Sequence, residues 1–167
     1  MIRTILFLMI TIPLFAKAQI GNICIDSNRI NPYYQCNDPN FDPTCGCNNV
    51  TYRNGCEMTH IGGVNYPSQY ENGVCRSEIY YYSISPNPVL TKLDFHMQFA
   101  EQQESTATLQ IFNVFGNLVF SRLLNNITSY PQPPTSIYFT DLETGVYTLV
   151  VQAGGVSKRT KFIKHTL

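Results

Sequence analysis

The sequence predicts two folds in tandem: a small cysteine-stapled α+β module, followed by an all-β, antiparallel β-sandwich. Three observations carry this. All six cysteines, Cys24, Cys36, Cys45, Cys47, Cys56 and Cys75, fall between residues 24 and 75, and the 92 residues after Cys75 hold none. The cysteine segment is broken by turn formers throughout. From Tyr81 onward the chain switches to short runs in which apolar and polar residues alternate, the mark of half-buried strands.

The first residues, MIRTILFLMITIPLFAKAQ, have the make-up of a processing signal: Arg3, an apolar run from Ile5 to Phe15, and the small-x-small site Ala16-Lys17-Ala18. Residues 1–18 are therefore expected to be removed after Ala18. The apolar run is too short for a permanent transmembrane anchor. A chain that leaves the cytosol this way meets an oxidising compartment, where the cysteines can pair. Net charge is zero, and charged residues make up only 13%. That balance argues against nucleic acid as a partner. Between Cys24 and Cys75 two arginines face five carboxylates, a net of −3, while Arg76 to Leu167 nets +1.

Residues 19–76 form the first module. Asn31-Pro32, Asp38-Pro39, Asp42-Pro43, Asn48-Asn49 and Gly62-Gly63 punctuate it with turns. Val50-Thr51-Tyr52 is its best strand, and Cys56 to Ile61 its one helix, stopped by Gly62-Gly63. So small a unit cannot hold itself together by burial, and three bridges would each add about 2–4 kcal/mol. Cys45, Cys47, Cys56 and His60 also have the spacing C-x-C-x8-C-x3-H, a zinc-type set. Behind a signal segment, and with Cys24, Cys36 and Cys75 left over, disulfides are the better use of these thiols and no metal is expected.

Residues 77–80 are expected to link the modules, and residues 81–167 to form the sandwich. Its strands are expected at Tyr80–Ser85, ended by Pro86-Asn87-Pro88, then Leu93–Phe99, Thr106–Phe112, Leu118–Leu123, Ser136–Phe139, Val146–Gln152 and Val156–Lys164. Leu93, Phe95, Met97 and Phe99 alternate with Asp94, His96 and Gln98, so that one face is buried and the other wet. Gly116-Asn117 and Gly154-Gly155 close hairpins. Seven short strands without helical periodicity argue an Ig-like sandwich.

Two resemblances sharpen this reading. Asp42-Pro43, Cys45-Gly46, Asn49-x-Thr51-Tyr52-x-Asn54-x-Cys56 and the cysteines around them resemble a Kazal-like module in a variant with Cys45-Gly46-Cys47. This resemblance implies a three-stranded sheet beside one short helix, and the bridges Cys36–Cys56, Cys45–Cys75 and Cys24–Cys47. The family often inhibits serine proteases through a loop after its second cysteine, here Asn37-Asp38-Pro39-Asn40-Phe41. The specificity position falls on Asp38 counted from Cys36, or on Pro39 counted back from Cys45. Neither suits a trypsin-like or chymotrypsin-like pocket, so a stapled adhesion, binding or spacer module, with a surface ligand as partner where it binds, is the first expectation and a serine protease the alternative partner.

In the rear half, Ile84-Ser85-Pro86-Asn87-Pro88, Leu109-x-Ile111-Phe112-Asn113-x-Phe115-Gly116-Asn117, Leu142-x-x-Gly145-Val146-Tyr147 and Lys158 to Lys164 occur in that order. Together they resemble the type A C-terminal sorting domain of the type IX secretion system of Bacteroidetes. The resemblance implies Pro86, Asn87, Pro88, Gly116, Gly145, Tyr147, Lys158, Lys161 and Lys164 as its signature, and the secretion machinery at the outer membrane as its partner. It implies passage through the periplasm, removal of the domain in the linker, and a product that is secreted or held on the cell surface. The basic run Lys158, Arg159, Lys161 and Lys164 reads by itself as a solvated strand face. No nucleophile elbow, metalloprotease motif or phosphate loop is present. His60, His96 and His165 are scattered, on a helix surface, on the wet face of a strand and in the tail. Neither an enzyme nor a cofactor is expected. In a bacterial protein the sequons Asn49-x-Thr51 and Asn126-x-Thr128 are coincidental.

Overall fold

A computed structural model of the chain describes residues 23–65, 70–101 and 105–166. The signal segment and its cleavage site lie outside the described residues. None of the helices there is long and apolar enough to cross a membrane.

The front module is a three-stranded antiparallel sheet, β1 (Thr44–Gly46), β2 (Thr51–Tyr52) and β3 (Tyr70–Asn72), in the order β2-β1-β3, beside one short helix, α1 (Gly55–His60). The helix starts where Asn54 can cap it: the Asn54 side-chain oxygen accepts from Glu57 N at 3.0 Å. Ile61 N and Gly62 N both bond Glu57 O, and Gly63 takes φ +65°, so the glycine pair ends the helix. The apolar interior is small, with Met58, Val64, Val74 and Cys75 fully or nearly buried. Bridges Cys24–Cys47, Cys36–Cys56 and Cys45–Cys75 supply the rest, in the pairing the first resemblance implies.

The rear half packs two antiparallel sheets over one core. The first has the order β10-β9-β6-β7 and the second β4-β5-β8. Its strands are β4 (Tyr80–Ser85), β5 (Lys92–Phe99), β6 (Ser105–Phe112), β7 (Leu118–Ile127), β8 (Thr135–Tyr138), β9 (Gly145–Ala153) and β10 (Val156–Lys164). Inward positions at every second residue, such as Leu93, Phe95, Met97 and Phe99 on β5 and Leu109 and Ile111 on β6, fill the core with Leu149, Val151 and Phe162. Burial of such side chains is worth about 1.5–3 kcal/mol each. Tyr82 reaches across to share a hydrogen bond with Thr160 at 2.7 Å.

The structure differs from the sequence reading in three places. β7 runs to Ile127 rather than stopping at Leu123, because β6 keeps pairing with it past the turn-forming Asn125-Asn126; the irregularity is absorbed by a register shift, with Asn126 at φ +58°. Tyr80, which the sequence reading placed both at the end of the linker and at the start of a strand, opens β4. It is fully buried, and its hydroxyl donates to Val151 O at 2.7 Å. Burial pushes the Tyr80 phenol up to about 12. The rest of the linker is also tied down: Glu78 pairs with Lys158, and Ile79 lies against Gly154, where a Cβ would come within 2.5 Å of the Ile79 side chain.

The third difference concerns β5. Its Asp94–His96–Gln98 face, expected to be wet, is covered toward one end. Gln98 is 4% exposed and His96 is half-buried. The front module lies on that face.

Candidate functional site

Two regions gather the residues singled out in the sequence. The first is the module's loop, Asn37 to Asp42. Asp38 Oδ1 accepts from Asn40 N at 3.0 Å, which folds the backbone around Pro39. Asn54, buried beneath, donates its Nδ2 to Asp38 O at 3.3 Å and to Asn40 O at 3.2 Å. Arg53 Nη2 donates to Pro39 O at 2.7 Å. Three successive carbonyls are therefore held, and Pro39 is the residue bracketed by the two that Asn54 takes. Asn37 to Asn40 are exposed. Of the two countings for the central position, the hydrogen bonds centre on Pro39.

Asn54 enters the sequence reading only as one position of the first resemblance; its hold on the loop and on the helix start is what that reading lacked. Its signal was present: Asn54 with Glu57 three residues on is a capping-box pattern, and Glu57 Oε2 reaches back to Arg53 N at 3.3 Å.

Phe41, one residue past the bracket, is 6% exposed. Its ring stacks on His96 of β5 at 5.0 Å between centroids and on Tyr81 of β4 at 6.1 Å. Asn40, Phe41, His96, Pro131 and Gln132 line a shallow groove where the loop meets the sandwich. Burial, and then the Arg53 guanidinium, hold the His96 imidazole below its usual range against the opposing pull of Asp94. Burial also raises the Tyr81 phenol.

The second region is one end of the sandwich, where most of the proposed signature converges. Asn87 Oδ1 accepts from Ile163 N at 3.0 Å, while Val89 N donates to Ile163 O and His165 N to Val89 O. Val89 and Lys164 form a parallel bridge, and Lys164 pairs in register with Gly145. Pro86, Asn87 and Pro88 are thus fastened to the end of β10. Tyr147, mostly buried, stacks on Phe162 and donates its hydroxyl to Glu143 O at 3.0 Å. Gly116, at φ +81°, makes the tight β6–β7 turn at the same end.

The basic run divides instead of forming one solvated face. Lys164 is 3% exposed, and its Nζ bonds His165 O at 2.8 Å. Lys158 is half-buried at the linker, bonded to Glu78 and to Tyr80 O at 2.6 Å. Only Arg159 and Lys161 point outward. There they flank Val146, Thr148 and Val150 of β9, and with Phe112, Val114 and Gly116 they line a groove. The outward positions of β6, β9 and β10 carry no carboxylate, and Val114 and Phe115 beside them are 70% and 85% exposed. The result is an apolar strip edged by two cations.

The zinc-type set does not exist as such. Cys45, Cys47 and Cys56 sit in three different bridges, and His60 stacks on Tyr34 at 3.9 Å. Among the described residues no group of three histidine, cysteine or carboxylate side chains is placed to hold a metal.

A family model described as secretion system C-terminal sorting domain matches residues 83–165. No curated protein matches the chain. Among solved structures, the chain is similar to dimeric latent PorU from Porphyromonas gingivalis, at 18% identity and a TM-score of 0.41, over 63% of this chain and 11% of that one. It is also similar to a β-glucuronidase from Parabacteroides merdae, at 18% identity and a TM-score of 0.31, over 53% and 13%. The chain thus spans a small part of the length of either protein. The family match takes in nearly the whole sandwich, and a sorting domain of this kind implies interaction with the secretion machinery and delivery to the cell surface or the exterior.

Proposed function

With residues 83–165 matching a secretion sorting domain, we propose that the sandwich is the address of a type IX cargo protein and the stapled module is what it delivers. A cleaved signal carries the chain into the periplasm, and the sandwich is then read at the outer membrane. The observation that carries this reading is the convergence of Pro86–Pro88, Gly116, Gly145, Tyr147 and Lys164 on one end of the fold, beside the Arg159–Lys161 strip. An apolar strip edged by cations suits a protein partner with carboxylates around an apolar patch. Deleting residues 80–167 is expected to strand the module in the periplasm. Replacing Arg159 and Lys161 together with Glu is expected to do the same while leaving the sandwich folded, since both are exposed. Normal export of either form would refute the reading.

The delivered module is a Kazal-like binding module with no catalysis of its own. A second reading, serine protease inhibition, is favoured by one observation: the loop backbone around Pro39 is fixed by Asn54, Arg53 and Asp38 before any partner arrives. A loop already fixed loses little entropy on docking. A panel of serine proteases incubated with the oxidised chain, both intact and severed between the module and the sandwich, separates the two. Inhibition that is abolished by changing Pro39 supports the inhibitor, and no inhibition of any protease leaves the binding module.

A further inference from the structure

The sandwich is seated on the loop face of the module, and the seam between them is unevenly made. Its apolar part is well packed, with Phe41 stacked on His96 and Tyr81. Its polar part is not. Among the described residues three buried side-chain atoms have no hydrogen-bond partner: Arg53 Nε, His96 Nδ1 and Gln98 Oε1. Arg53 belongs to the module, on the side of the loop carbonyl it holds. His96 and Gln98 lie on the β5 face that the module covers, with Gln98 Nε2 about 3.5 Å from where a Cβ on Gly73 would be. Groups buried within a single well-made core nearly always find partners. Their concentration on this seam marks two surfaces that are pressed together without being matched.

We propose that Phe41 and Arg53, beside the exposed backbone of Pro39 and Asn40, are the module's own interaction surface, and that the sandwich covers these two side chains for as long as the two parts remain joined. The surface has the make-up of a binding centre: an aromatic side chain and an arginine beside a fixed, exposed backbone. The partner that takes the place of the sandwich is a protein offering a ring to Phe41 and a carboxylate to Arg53 Nε, the acceptor that the sandwich fails to provide. The proposal rests on the reading of the front half as a binding module. It explains how one chain can be inert during export and active afterwards.

The chain has no tryptophan, so Phe41→Trp places a single reporter in the seam. A recognition sequence for a site-specific endoprotease, inserted between Ser77 and Glu78, allows the purified, oxidised chain to be severed in vitro. The intact protein is expected to show blue-shifted Trp emission and little quenching by acrylamide. After cutting, the halves are expected to separate on gel filtration, with a red shift and several-fold stronger quenching. Hydrogen exchange at the Phe41 and Asp42 amides, measured on the same cleavable chain with Phe41 retained, guards against disturbance by the larger ring and is expected to rise in parallel. The proposal is overturned if these amides and the reporter are already open in the intact chain, or if both stay protected with the halves still together after cutting. Neither result depends on export, so failure of the sorting reading would show separately in the deletion experiment.

Discussion

Asn54 links the start of α1 to the shape of the loop, and its two roles can be separated. Asn54→Ala removes both. Losing the cap costs about 1 kcal/mol, and each of the two donations to Asp38 O and Asn40 O adds about 0.5–1.5 kcal/mol. Because Asn54 is 2% exposed, the two carbonyls lose their partner in a place water cannot easily refill. The sum is a loss of about 2–4 kcal/mol. Asn54→Asp keeps the acceptor for Glu57 N, in a charged form favoured at a helix start, but presents oxygen in place of Nδ2 to both carbonyls. It is expected to spare the helix and free the loop. Denaturant unfolding with the bridges intact, combined with hydrogen exchange at the Asp38, Asn40 and Phe41 amides, measures both effects. An Asp variant as stable as the parent, with loop exchange unchanged, would refute the claim that Asn54 shapes the loop.

Three further outcomes are expected. Reduction with dithiothreitol should unfold the front module and leave the sandwich, which has no cysteine, with its near-native strand signal; loss of both together would contradict two independently stabilised cores. His96 is held below its usual range, near 6.5. As pH falls through that value the unfolded chain takes up a proton that the folded chain resists, so stability present at neutral pH should decline and level off below the folded value. Burial first, and then Arg53, disfavours the proton at that site, and Asp94 partly offsets them. His96→Gln should flatten this part of the stability curve, and a curve of unchanged shape would sink the assignment. Leu149→Ala, at a fully buried site between the sheets, should destabilise the sandwich by about 2–5 kcal/mol, read as a lower denaturant midpoint; a change under 0.5 kcal/mol would mean the core is not packed as described.

Alternation is a property of one strand at a time, which is why β5 and β9 were legible in the sequence and why half of β5 was misread. Nothing within Lys92–Phe99 says that His96 and Gln98 will lie under Phe41, more than fifty residues earlier in the chain. The same holds for the basic run. Lys158 and Lys164 look like solvated cations until Glu78 and the His165 carbonyl, one remote and one adjacent, are folded against them. The cysteine framework was easier, because a cluster of six thiols behind an expected export signal has few other uses. Asn54 was legible and went unread, since a cap is recognised only when the helix start is placed at Gly55 and not at Cys56.

The attachment of Glu78 to Lys158 has a consequence for any enzyme that severs the joining segment. Hydrolysis on the N-terminal side of Glu78 leaves that carboxylate with the sandwich, whose ammonium stays neutralised. Hydrolysis after Ile79 sends the acid away with the front module and strands the lysine beside the ring of Tyr80. The two front products differ by one unit of net charge, so electrofocusing of the released front module reports on which side of Glu78 the chain was cut without any need to read its terminus.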